Sequence, residues 1–292
     1  MKTICIINPV AGQGKALKVW STIQEKVFSL GFKVDTVYTK YTGHATTLAS
    51  HAVQQGYELV LAVGGDGTMH EVVNGLAYTD TTFGVIPAGT GNDFGRSLML
   101  PKDPVEAVKV IAAGKTKYID LGRYDGHYFL NMGGFGIDAD VAHRVNGTRI
   151  LRGHLAYLAA ALKVFMVYKS YIAEIIIDGN KIKTDTILVS VGNGQFLGGG
   201  LHMLPQAVLD DGLLDIMIVE KMPRLELIRR FPSLYKGTHL MIPKCHFYRG
   251  REVIINLPEP KENVFAQVDG QEISGFPLHF GIAPQALKVF IP

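Results

Sequence analysis

The sequence predicts an α/β domain with a parallel sheet, followed by a mostly antiparallel β domain. Up to Gly122, short apolar runs alternate with helix-period patterns, which is typical of a parallel sheet with helices on both faces. After Gly122, strand-rich runs are separated by hairpin turns. The 292 residues exceed the length that one hydrophobic core usually supports. We therefore divide the chain into residues 1–122 and 123–292 and expect the C-terminal strand to join the first domain.

The first domain shows a regular alternation of strand and helix. Apolar runs predict four strands: Thr3 to Ile7, Val34 to Tyr38, Leu59 to Val63 and Phe83 to Ile86. Helical spacing predicts four helices: Leu17 to Leu30, Ala45 to Val53, Met69 to Leu76 and Val105 to Ala112. Gly31, Gly56 and Gly114 follow three of these helices, and a left-handed glycine commonly ends a helix. Strands that all run the same way place their carboxyl ends along one edge of the sheet.

The second domain carries mainly strand patterns. Asp178-Gly179-Asn180 separates the runs Ile172 to Ile177 and Ile182 to Thr184, which predicts a hairpin. Further apolar runs predict five more strands: Ile187 to Val191, Leu213 to Val219, Glu252 to Leu257, Val264 to Asp269 and Leu278 to Ile282. Two helices are predicted as insertions, at Leu151 to Tyr168 and Arg224 to Tyr235.

Composition excludes several classes of protein. A hydrophobic fraction of 47% excludes intrinsic disorder, and a net charge of +3 is too small for a general nucleic-acid binder. Cys5 and Cys245 cannot build a disulfide framework, so a reducing cytoplasm fits best. We find no signal peptide and no apolar stretch long enough to span a membrane. Glycine is abundant at 33 residues, and we interpret the excess, including that in Gly133 to Gly136, as backbone close to phosphate and sugar.

Three glycine-rich loops follow predicted strands: Asn8 to Lys15, Gly64 to Thr68 and Pro87 to Phe94. Loops at one edge of a parallel sheet form a nucleotide cleft, and helix N-termini there favour phosphate. The first loop is not a Walker loop, because Pro9 replaces the first glycine and Ala16 replaces Ser or Thr. It is not a dinucleotide fingerprint either, since Leu17 replaces the third glycine.

Asp66 lies inside the second glycine-rich loop. A carboxylate there repels phosphate unless a metal or a proton intervenes, so it indicates Mg²⁺ coordination or base chemistry on a hydroxyl. The alternative is a tight Gly-Asp-Gly turn in which Asp66 caps the following helix. Asn92 or Asp93 could likewise be an ordinary N-cap, and His70 could touch a nucleotide or simply start a helix.

Together these motifs resemble the catalytic domain shared by diacylglycerol kinases, sphingosine kinases and bacterial lipid kinases, which are more distantly related to NAD kinases. The motifs of the first domain are Asn8-Pro9 with Gly12, Gly64 to Thr68 with Glu71 and Asn74, and Gly89 to Phe94. Later segments match the pattern of the soluble bacterial diacylglycerol kinases: Asp120 to Gly122, Phe129 to Gly136, Asp211 to Asp215 and Asp269-Gly270. The resemblance implies an NAD-kinase-like three-layer α/β domain, a β-sandwich, and ATP in the cleft between them.

The resemblance also implies roles for individual residues. It assigns ATP and its reactive Mg²⁺ to Asn8, Pro9, Val10, Ala11, Gly12, Thr39, Gly64, Gly65, Asp66, Gly67, Thr68, Met69, His70, Gly89, Thr90, Asn92, Asp93 and Asp120. Among these, Asp66, Asp93 and Asp120 are expected to organise the Mg²⁺. A second, structural metal is implied at the Asp211 carboxylate with backbone carbonyls around Val208 and Leu213. The alternative for that segment is a plain turn rich in Asp and Gly.

The catalytic base is where the sequence departs from the family pattern. Bacterial relatives typically carry Asp-Gly-Glu in the late turn, but Gln271 stands at the Glu position and Glu272 follows it. A glutamine cannot accept a proton at neutral pH. We favour Asp269 as the base with Glu272 assisting, and Asp66, as in the sphingosine kinase branch, is the alternative. A weakly active or inactive enzyme is the third alternative.

Two segments are candidates for contact with lipid. From Lys221 to Arg251 there are eight basic residues and one acidic residue, interleaved with apolar residues. Such a segment can dock on anionic lipid, or it can be a solvated helix whose apolar side packs on the sandwich. Leu155, Leu158, Leu162 and Phe165 form a helical stripe that we expect in the core rather than in a lipid pocket.

These observations predict a cytoplasmic, peripherally membrane-associated kinase that uses ATP and Mg²⁺ to phosphorylate a lipid hydroxyl. Diacylglycerol is the first acceptor to test, and other hydroxyl-bearing lipids stay open. The alternatives are an NAD-kinase-like enzyme and a nucleotide-binding regulator that has lost its base. Gly89 to Phe94 and Asp269-Gly270 favour the lipid kinase over the NAD kinase. The expected partners are ATP and a lipid at a membrane surface, with no nucleic acid, and an exposed sheet edge would allow a homodimer.

Overall fold

The computed structural model describes residues 1–146, 163–258 and 264–292. The chain forms two compact units. The first consists of Met1–Leu121 with Ala283–Pro292, and the second consists of Gly122–Ile282.

The first unit is built on a parallel sheet. Its strands are β1 (Thr3–Ile7), β2 (Val34–Tyr38), β3 (Leu59–Gly64) and β4 (Thr82–Pro87), in the order β2-β1-β3-β4. Strands β1, β3 and β4 are buried throughout, as expected for a parallel sheet covered on both faces. The C-terminal part of the last strand adds to this sheet, where Val289 pairs with Phe83 in parallel.

Five helices accompany the sheet of the first unit: α1 (Lys15–Ser29), α2 (His44–Gln54), α3 (Asp66–Leu76), α4 (Asp93–Ser97) and α5 (Pro104–Ala113). Helix α1 packs Trp20, Ile23 and Val27 on the core that β1 and β3 form. Asp103 caps the N-terminus of helix α5, because its side chain accepts a hydrogen bond of 2.8 Å from the N–H of Val105.

The second unit is mostly antiparallel. Its strands are β5 (Thr116–Tyr124, which begins in the first unit), β6 (His127–Phe129), β7 (Met132–Gly136), β8 (Tyr171–Ile177), β9 (Asn180–Gly192), β10 (Phe196–Leu197), β11 (Leu201–His202), β12 (Leu214–Glu220), β13 (Cys245–Gly250), β14 (Glu252–Asn256), β15 (Ala266–Val268), β16 (Gln271–Ile273) and β17 (Leu278–Phe290, which ends in the first unit). The strand order is β16-β15-β7-β9-β8-β14-β17, and β12 pairs with β9 and β13. The predicted fold class is confirmed.

Hairpin β8–β9 closes as its sequence predicts. Asp178 and Gly179 have φ of 47° and 85°, and Ile177 pairs with Asn180 across the two-residue turn.

Among the described residues of the second unit, the helices are α6 (Ile137–Asn146), α7 (Arg224–Arg230), α8 (Pro232–Lys236), a helical stretch over residues 163–167 and a 3₁₀ turn (Thr238–Met241). The single helix predicted from Arg224 to Tyr235 is therefore wrong in one respect. It is interrupted before Pro232, because proline removes a backbone N–H and clashes with the preceding turn. Of the helix predicted from Leu151 to Tyr168, residues 163–167 are helical, and Leu155, Leu158 and Leu162 lie outside the described residues. Phe165 is buried in a hydrophobic core and also lines the apolar cavity of the second unit.

Strand packing explains the glycines of β7, whereas the sequence suggests that they let phosphate or sugar approach the backbone. A Cβ on Gly134 would lie 1.9 Å from the carbonyl oxygen of Val189, and one on Gly136 would lie 2.2 Å from that of Ile187. Both oxygens belong to the neighbouring strand β9. These glycines therefore permit close strand packing rather than the approach of phosphate or sugar.

Candidate functional site

Three loops of the first unit meet at the carboxyl edge of its sheet, where each follows a strand. The loops after β3 and β4 come close enough for their backbones to touch. A Cβ added to Gly89 would lie only 2.3 Å from the Cα of Gly65. The loop after β1 joins them, since a Cβ on Gly12 would lie 2.4 Å from the carbonyl oxygen of Ala88. The structure thus brings together the three glycine-rich loops predicted to hold a nucleotide, and any side chain at Gly65 or Gly89 would separate two of them.

Side chains in these loops bond across from one loop to another. Asn8 donates from Nδ2 to the Thr68 hydroxyl at 3.0 Å, which links the loop after β1 to helix α3. The Asp66 carboxylate accepts a hydrogen bond of 3.1 Å from the N–H of Phe94, which links α3 to α4. Asn8 also accepts from the N–H of Val10 at 3.2 Å, which shapes its own turn.

Among the described residues, Asp66 and Asn92 bond to other loop groups and not to the N–H groups of the helices that follow them. Within the part of the chain that the structure describes, the N-cap of α3 has no side-chain hydrogen bond, and Asp66 accepts from the N–H of Phe94 in the next loop instead. Asn92 closes its own loop by accepting from the Gly89 N–H at 2.9 Å and donating to the Gly89 carbonyl at 3.1 Å. Neither residue is an ordinary N-cap. The first turn of α3 therefore presents a helix N-terminus at the loop edge, where an anion is favoured.

The other predicted nucleotide-binding residues of the first unit lie at the same edge of the sheet, in the three loops or next to them. Thr39 follows β2 at the same edge, with its N–H bonded to the Ile7 carbonyl at 2.9 Å, and Thr90 is exposed in the loop after β4. Pro9, Val10 and Ala11 form the turn after β1, Gly64 ends β3, and Gly67, Met69 and His70 lie on α3. Each of these positions is in one of the meeting loops or beside it.

The three predicted Mg²⁺ carboxylates have different surroundings. Asp93 is buried with the Arg96 guanidinium 3.7 Å from its carboxylate. Asp120 is also buried, and its Oδ1 accepts a hydrogen bond of 2.7 Å from the N–H of Gln285 on the last strand. Asp120 therefore holds the backbone of β17. No group of three or more metal-binding side chains occurs among the described residues, and the assignment of Mg²⁺ to Asp66, Asp93 and Asp120 stays a prediction.

In the second unit, Asp269 and Gly270 form the turn between β15 and β16, with φ of 48° and 79°. The Asp269 carboxylate accepts hydrogen bonds from three consecutive backbone N–H groups, those of Leu130 (2.8 Å), Asn131 (2.9 Å) and Met132 (3.2 Å). This carboxylate therefore fixes the turn to the segment that leads into β7.

Strand β16 separates the faces of Gln271 and Glu272. Gln271 pairs with Val268, whereas Glu272 pairs with the buried Gln267. Adjacent residues of a strand point to opposite faces, so Glu272 cannot take the place of Gln271 without a one-residue shift of register. The Glu272 carboxylate instead lies 2.9 Å from Nδ1 of His143 on helix α6.

The predicted structural metal site contains an arginine. One oxygen of Asp211 accepts from the Leu213 N–H at 3.1 Å, and the other lies 3.9 Å from the Arg249 guanidinium. Arg249 also donates to buried Asp215 at 3.0 Å and to the Gln206 carbonyl at 2.6 Å. Arg249 supplies the positive charge that a metal would supply, so this donor set does not fit a divalent cation well. Val208 is half exposed beside it, and the metal assignment stays a prediction.

A cavity of about 80 Å³ lies inside the second unit. Its wall is almost entirely aliphatic and aromatic, with side chains from α6, β9, β12 and the α7–α8 segment. The one carboxylate among the described wall residues belongs to Asp138. Burial raises the pKa of Asp138 to about 6, although a hydrogen bond from Gln267 opposes the shift. The sequence patterns do not indicate the contacts of Asp138, Gln267, His143 and Arg249. The signal for Asp138 is a carboxylate almost directly after the glycine-rich strand β7.

In the basic segment from Lys221 to Arg251, some apolar residues are packed in the core and others are exposed. Leu227, Ile228 and Leu234 pack against a hydrophobic core, which is the alternative that the sequence left open. Leu225 and Met241 are 78% and 86% exposed. Four cations line a groove in this region: Lys169, Lys221, Arg224 and Lys244. Among the described helices, none is long and apolar enough to cross a membrane.

Comparison with known proteins identifies the class of the chain. The model of the diacylglycerol kinase catalytic domain matches residues 2–124, and that of the YegS C-terminal NAD kinase beta sandwich-like domain matches residues 132–291. The two matches describe a kinase-type α/β domain followed by a β-sandwich-like domain, in agreement with the observed fold.

Individual relatives cover the whole chain. A diacylglycerol kinase of Mycobacterium tuberculosis is 33% identical over 298 residues, covering 100% of this chain and 95% of the relative. One of Bacillus subtilis is 30% identical over 291 residues, covering 98% and 95%. The crystal structure of a diacylglycerol kinase from Bacillus anthracis has a TM-score of 0.78 at 25% identity, covering 100% of this chain and 97% of that one. The chain belongs to the diacylglycerol kinase catalytic-domain family and carries a YegS-like C-terminal domain, and kinases of this family use ATP.

The contact between Gly65 and Gly89 generates a test of the nucleotide site. We expect Gly89→Ala to weaken ATP binding by roughly tenfold or more, because the added Cβ would lie 2.3 Å from the Gly65 Cα and separate the loops. Gly95→Ala is the matched control, since its Cβ would meet only Pro87, at 3.9 Å. Isothermal titration with ATP and Mg²⁺ measures both dissociation constants. Equal affinities in the two variants would contradict a nucleotide site between these loops.

Proposed function

We propose that this protein is a lipid kinase that transfers the γ-phosphate of ATP to a lipid hydroxyl, with diacylglycerol as the acceptor and phosphatidic acid as the product. The observation that carries the proposal is the apolar cavity of the second unit. Its wall of aliphatic and aromatic side chains suits an acyl chain, whereas NAD is polar throughout and would leave its hydrogen-bonding groups unpaired there. Relatives that share the whole chain length are diacylglycerol kinases, which supports the same acceptor.

The first unit binds the nucleotide in this proposal. The N-terminus of α3 and the loops around Gly65 and Gly89 hold the phosphates by backbone N–H groups and the helix dipole. Asp93 would hold a Mg²⁺ together with the phosphate oxygens, and the metal would supply positive charge next to the transferring phosphoryl group. The Asn8 to Thr68 bond keeps the loop after β1 closed against α3.

We propose Asp66 as the general base, which differs from the assignment that the sequence favours. Both oxygens of Asp269 accept backbone hydrogen bonds, so a role in proton transfer would disrupt the turn. Glu272 faces α6 and pairs with His143. Asp66 lies in the phosphate loop itself, where a carboxylate can accept the proton of a hydroxyl that attacks the γ-phosphate.

The acceptor and the reaction type are tested by product analysis. Purified protein is incubated with labelled ATP, Mg²⁺, and either diacylglycerol in mixed micelles or NAD. We expect label in phosphatidic acid and none in NADP, because the cavity accepts an acyl chain and not a dinucleotide. Label only in NADP, or in neither product, would overturn the proposed function. A total lipid extract as a third acceptor identifies a different lipid if diacylglycerol itself is not used.

The base is tested by two substitutions that each remove one carboxylate charge. We expect Asp66→Asn to lower kcat by about 10²-fold to 10⁴-fold while ATP affinity changes less than about threefold, because the proton acceptor is lost and the loop shape is kept. Asp269→Asn is expected to lower the unfolding temperature and to leave a larger share of kcat, since an amide oxygen still accepts part of the three backbone bonds. The reverse pattern of kcat values would return the role of base to Asp269.

We also propose that the second unit contacts anionic membranes through α7 and its surroundings. Exposed Leu225 and Met241 would enter the interface, and the cations of the Lys221–Arg224 groove would attract anionic headgroups. Peripheral contact of this kind would bring the enzyme to a lipid substrate that does not leave the bilayer.

Vesicle sedimentation checks the membrane surface. We expect the double variant Lys221→Glu with Arg224→Glu to bind anionic vesicles at least about tenfold more weakly than the wild type, because each cation near the surface contributes about 1 kcal/mol. Lys33→Glu, an exposed charge reversal in the first unit, is the control and should bind as the wild type does. Wild-type binding that is independent of anionic lipid at physiological salt would refute this surface.

A further inference from the structure

An exposed aromatic ring is held in a fixed position at the carboxyl edge of the first unit's sheet. Tyr41 lies in the loop after β2 and is 64% exposed. One face of its ring stacks on the imidazole of His44, with the ring centroids 4.6 Å apart and the ring planes inclined at 22°. Most of the exposure therefore belongs to the opposite face and the rim of the ring. A ring that is exposed but already ordered can bind a flat ligand with little loss of conformational entropy.

The loop itself fixes this aromatic pair, Tyr41 and His44, through backbone groups. Nδ1 of His44 accepts a hydrogen bond of 3.1 Å from the N–H of Lys40. The N–H of His44 donates to the carbonyl of Tyr41 at 3.2 Å, and Gly43 between them has a φ of 88°. The two rings are therefore joined by a closed turn as well as by their stacking.

Helix α2, which begins at His44, is attached to helix α3, whose N-terminus is the proposed phosphate site. The Glu71 carboxylate of α3 accepts a hydrogen bond of 3.0 Å from the N–H of Ala45, and the Glu71 carbonyl accepts one of 2.8 Å from the Thr46 hydroxyl. The two helices also pack closely, since a Cβ on Gly75 would lie 2.7 Å from the Thr46 carbonyl oxygen. The aromatic pair is thus held in a fixed position relative to the start of α3.

The spacing of the strands sets the distance between the aromatic pair and the phosphate site. Ile7 of β1 is in register with Tyr38 of β2 and with Val63 of β3, so the three following loops leave the sheet at the same level. Strand β1 lies between β2 and β3, and neighbouring strands are about 4.8 Å apart, so the loops after β2 and β3 begin about 10 Å apart. The base and the outer phosphates of a nucleoside triphosphate are separated by a distance of this order. A nucleotide with its phosphates at α3 can therefore reach the aromatic pair with its base.

From these contacts we propose that Tyr41, supported by His44, stacks on the base of the bound ATP, and that Glu71 positions the aromatic pair relative to the phosphates. The inference rests on the proposed kinase function and deepens it, because it names the residues that hold the base end of the nucleotide. Every nucleobase has a flat π-face, so stacking favours a nucleoside triphosphate over the same triphosphate without its base.

Two ligands that differ only by the base test the proposal without catalysis. Binding of ATP and of ribose 5-triphosphate, which lacks the base, is measured by calorimetry with Mg²⁺ and without a lipid acceptor. We expect the wild type to prefer ATP by at least about tenfold. Tyr41→Ala should reduce this preference by at least about fivefold, through weaker binding of ATP alone, because the stacking contact is lost. Tyr41→Phe retains the ring and should retain the preference.

A control variant and a stability measurement separate base binding from an effect on the fold. Phe28→Ala removes another exposed ring, close to the C-terminus of α1 and thus at the opposite edge of the sheet, and should keep the wild-type preference. The Tyr41 ring is exposed, so we expect Tyr41→Ala to unfold within about 2 °C of the wild type. If Tyr41 only ordered the loop, its replacement would weaken both ligands equally.

Four outcomes would overturn the inference: a wild-type preference near one, an unchanged preference in Tyr41→Ala, an equal loss of affinity for both ligands in that variant, or a preference lost in Tyr41→Phe. The proposed function fails separately. If the preference for ATP depends on Tyr41 but no phosphate reaches a lipid, the base site stands and the kinase proposal falls. If the wild type makes phosphatidic acid and the preference does not depend on Tyr41, the kinase proposal stands and this inference falls.

Discussion

The carboxylate of Asp269 accepts three consecutive backbone hydrogen bonds, from Leu130, Asn131 and Met132, and the geometry of the second unit's site follows from that clamp. It fixes the turn between β15 and β16 and therefore the register of that hairpin. The register places Gln267 and Glu272 on the face that meets helix α6, through Asp138 and His143. A hydrogen-bonded carboxylate of this kind contributes by holding the backbone in place, since charge-assisted bonds are among the stronger hydrogen bonds in proteins.

In the first unit, the candidate site depends on a different constraint: the loops can meet only where side chains are absent. Gly65 and Gly89 touch through their backbones, and Gly12 approaches the carbonyl of Ala88. Parallel strands bring the loops to one edge, and only backbone lies where they meet, so the N–H groups of a helix N-terminus are accessible to an anion. The two units thus differ: in the first, only backbone lies where the loops meet, and in the second, one carboxylate orders a turn.

The sequence predicts this fold well, because apolar periodicity and glycine placement determine strands, helices and hairpins locally. The left-handed turn at Asp178-Gly179 and the meeting of the glycine-rich loops are examples. Register and long-range partners are harder to predict. The one-residue offset between Gln271 and Glu272 becomes a change of face only once β15 and β16 are paired. The same holds for Arg249, which lies beside Asp211 and Asp215 from a strand far along the chain, where the sequence indicates a metal. The glycines of β7 are easy to misinterpret from sequence, because close strand packing and the approach of a ligand both require glycine.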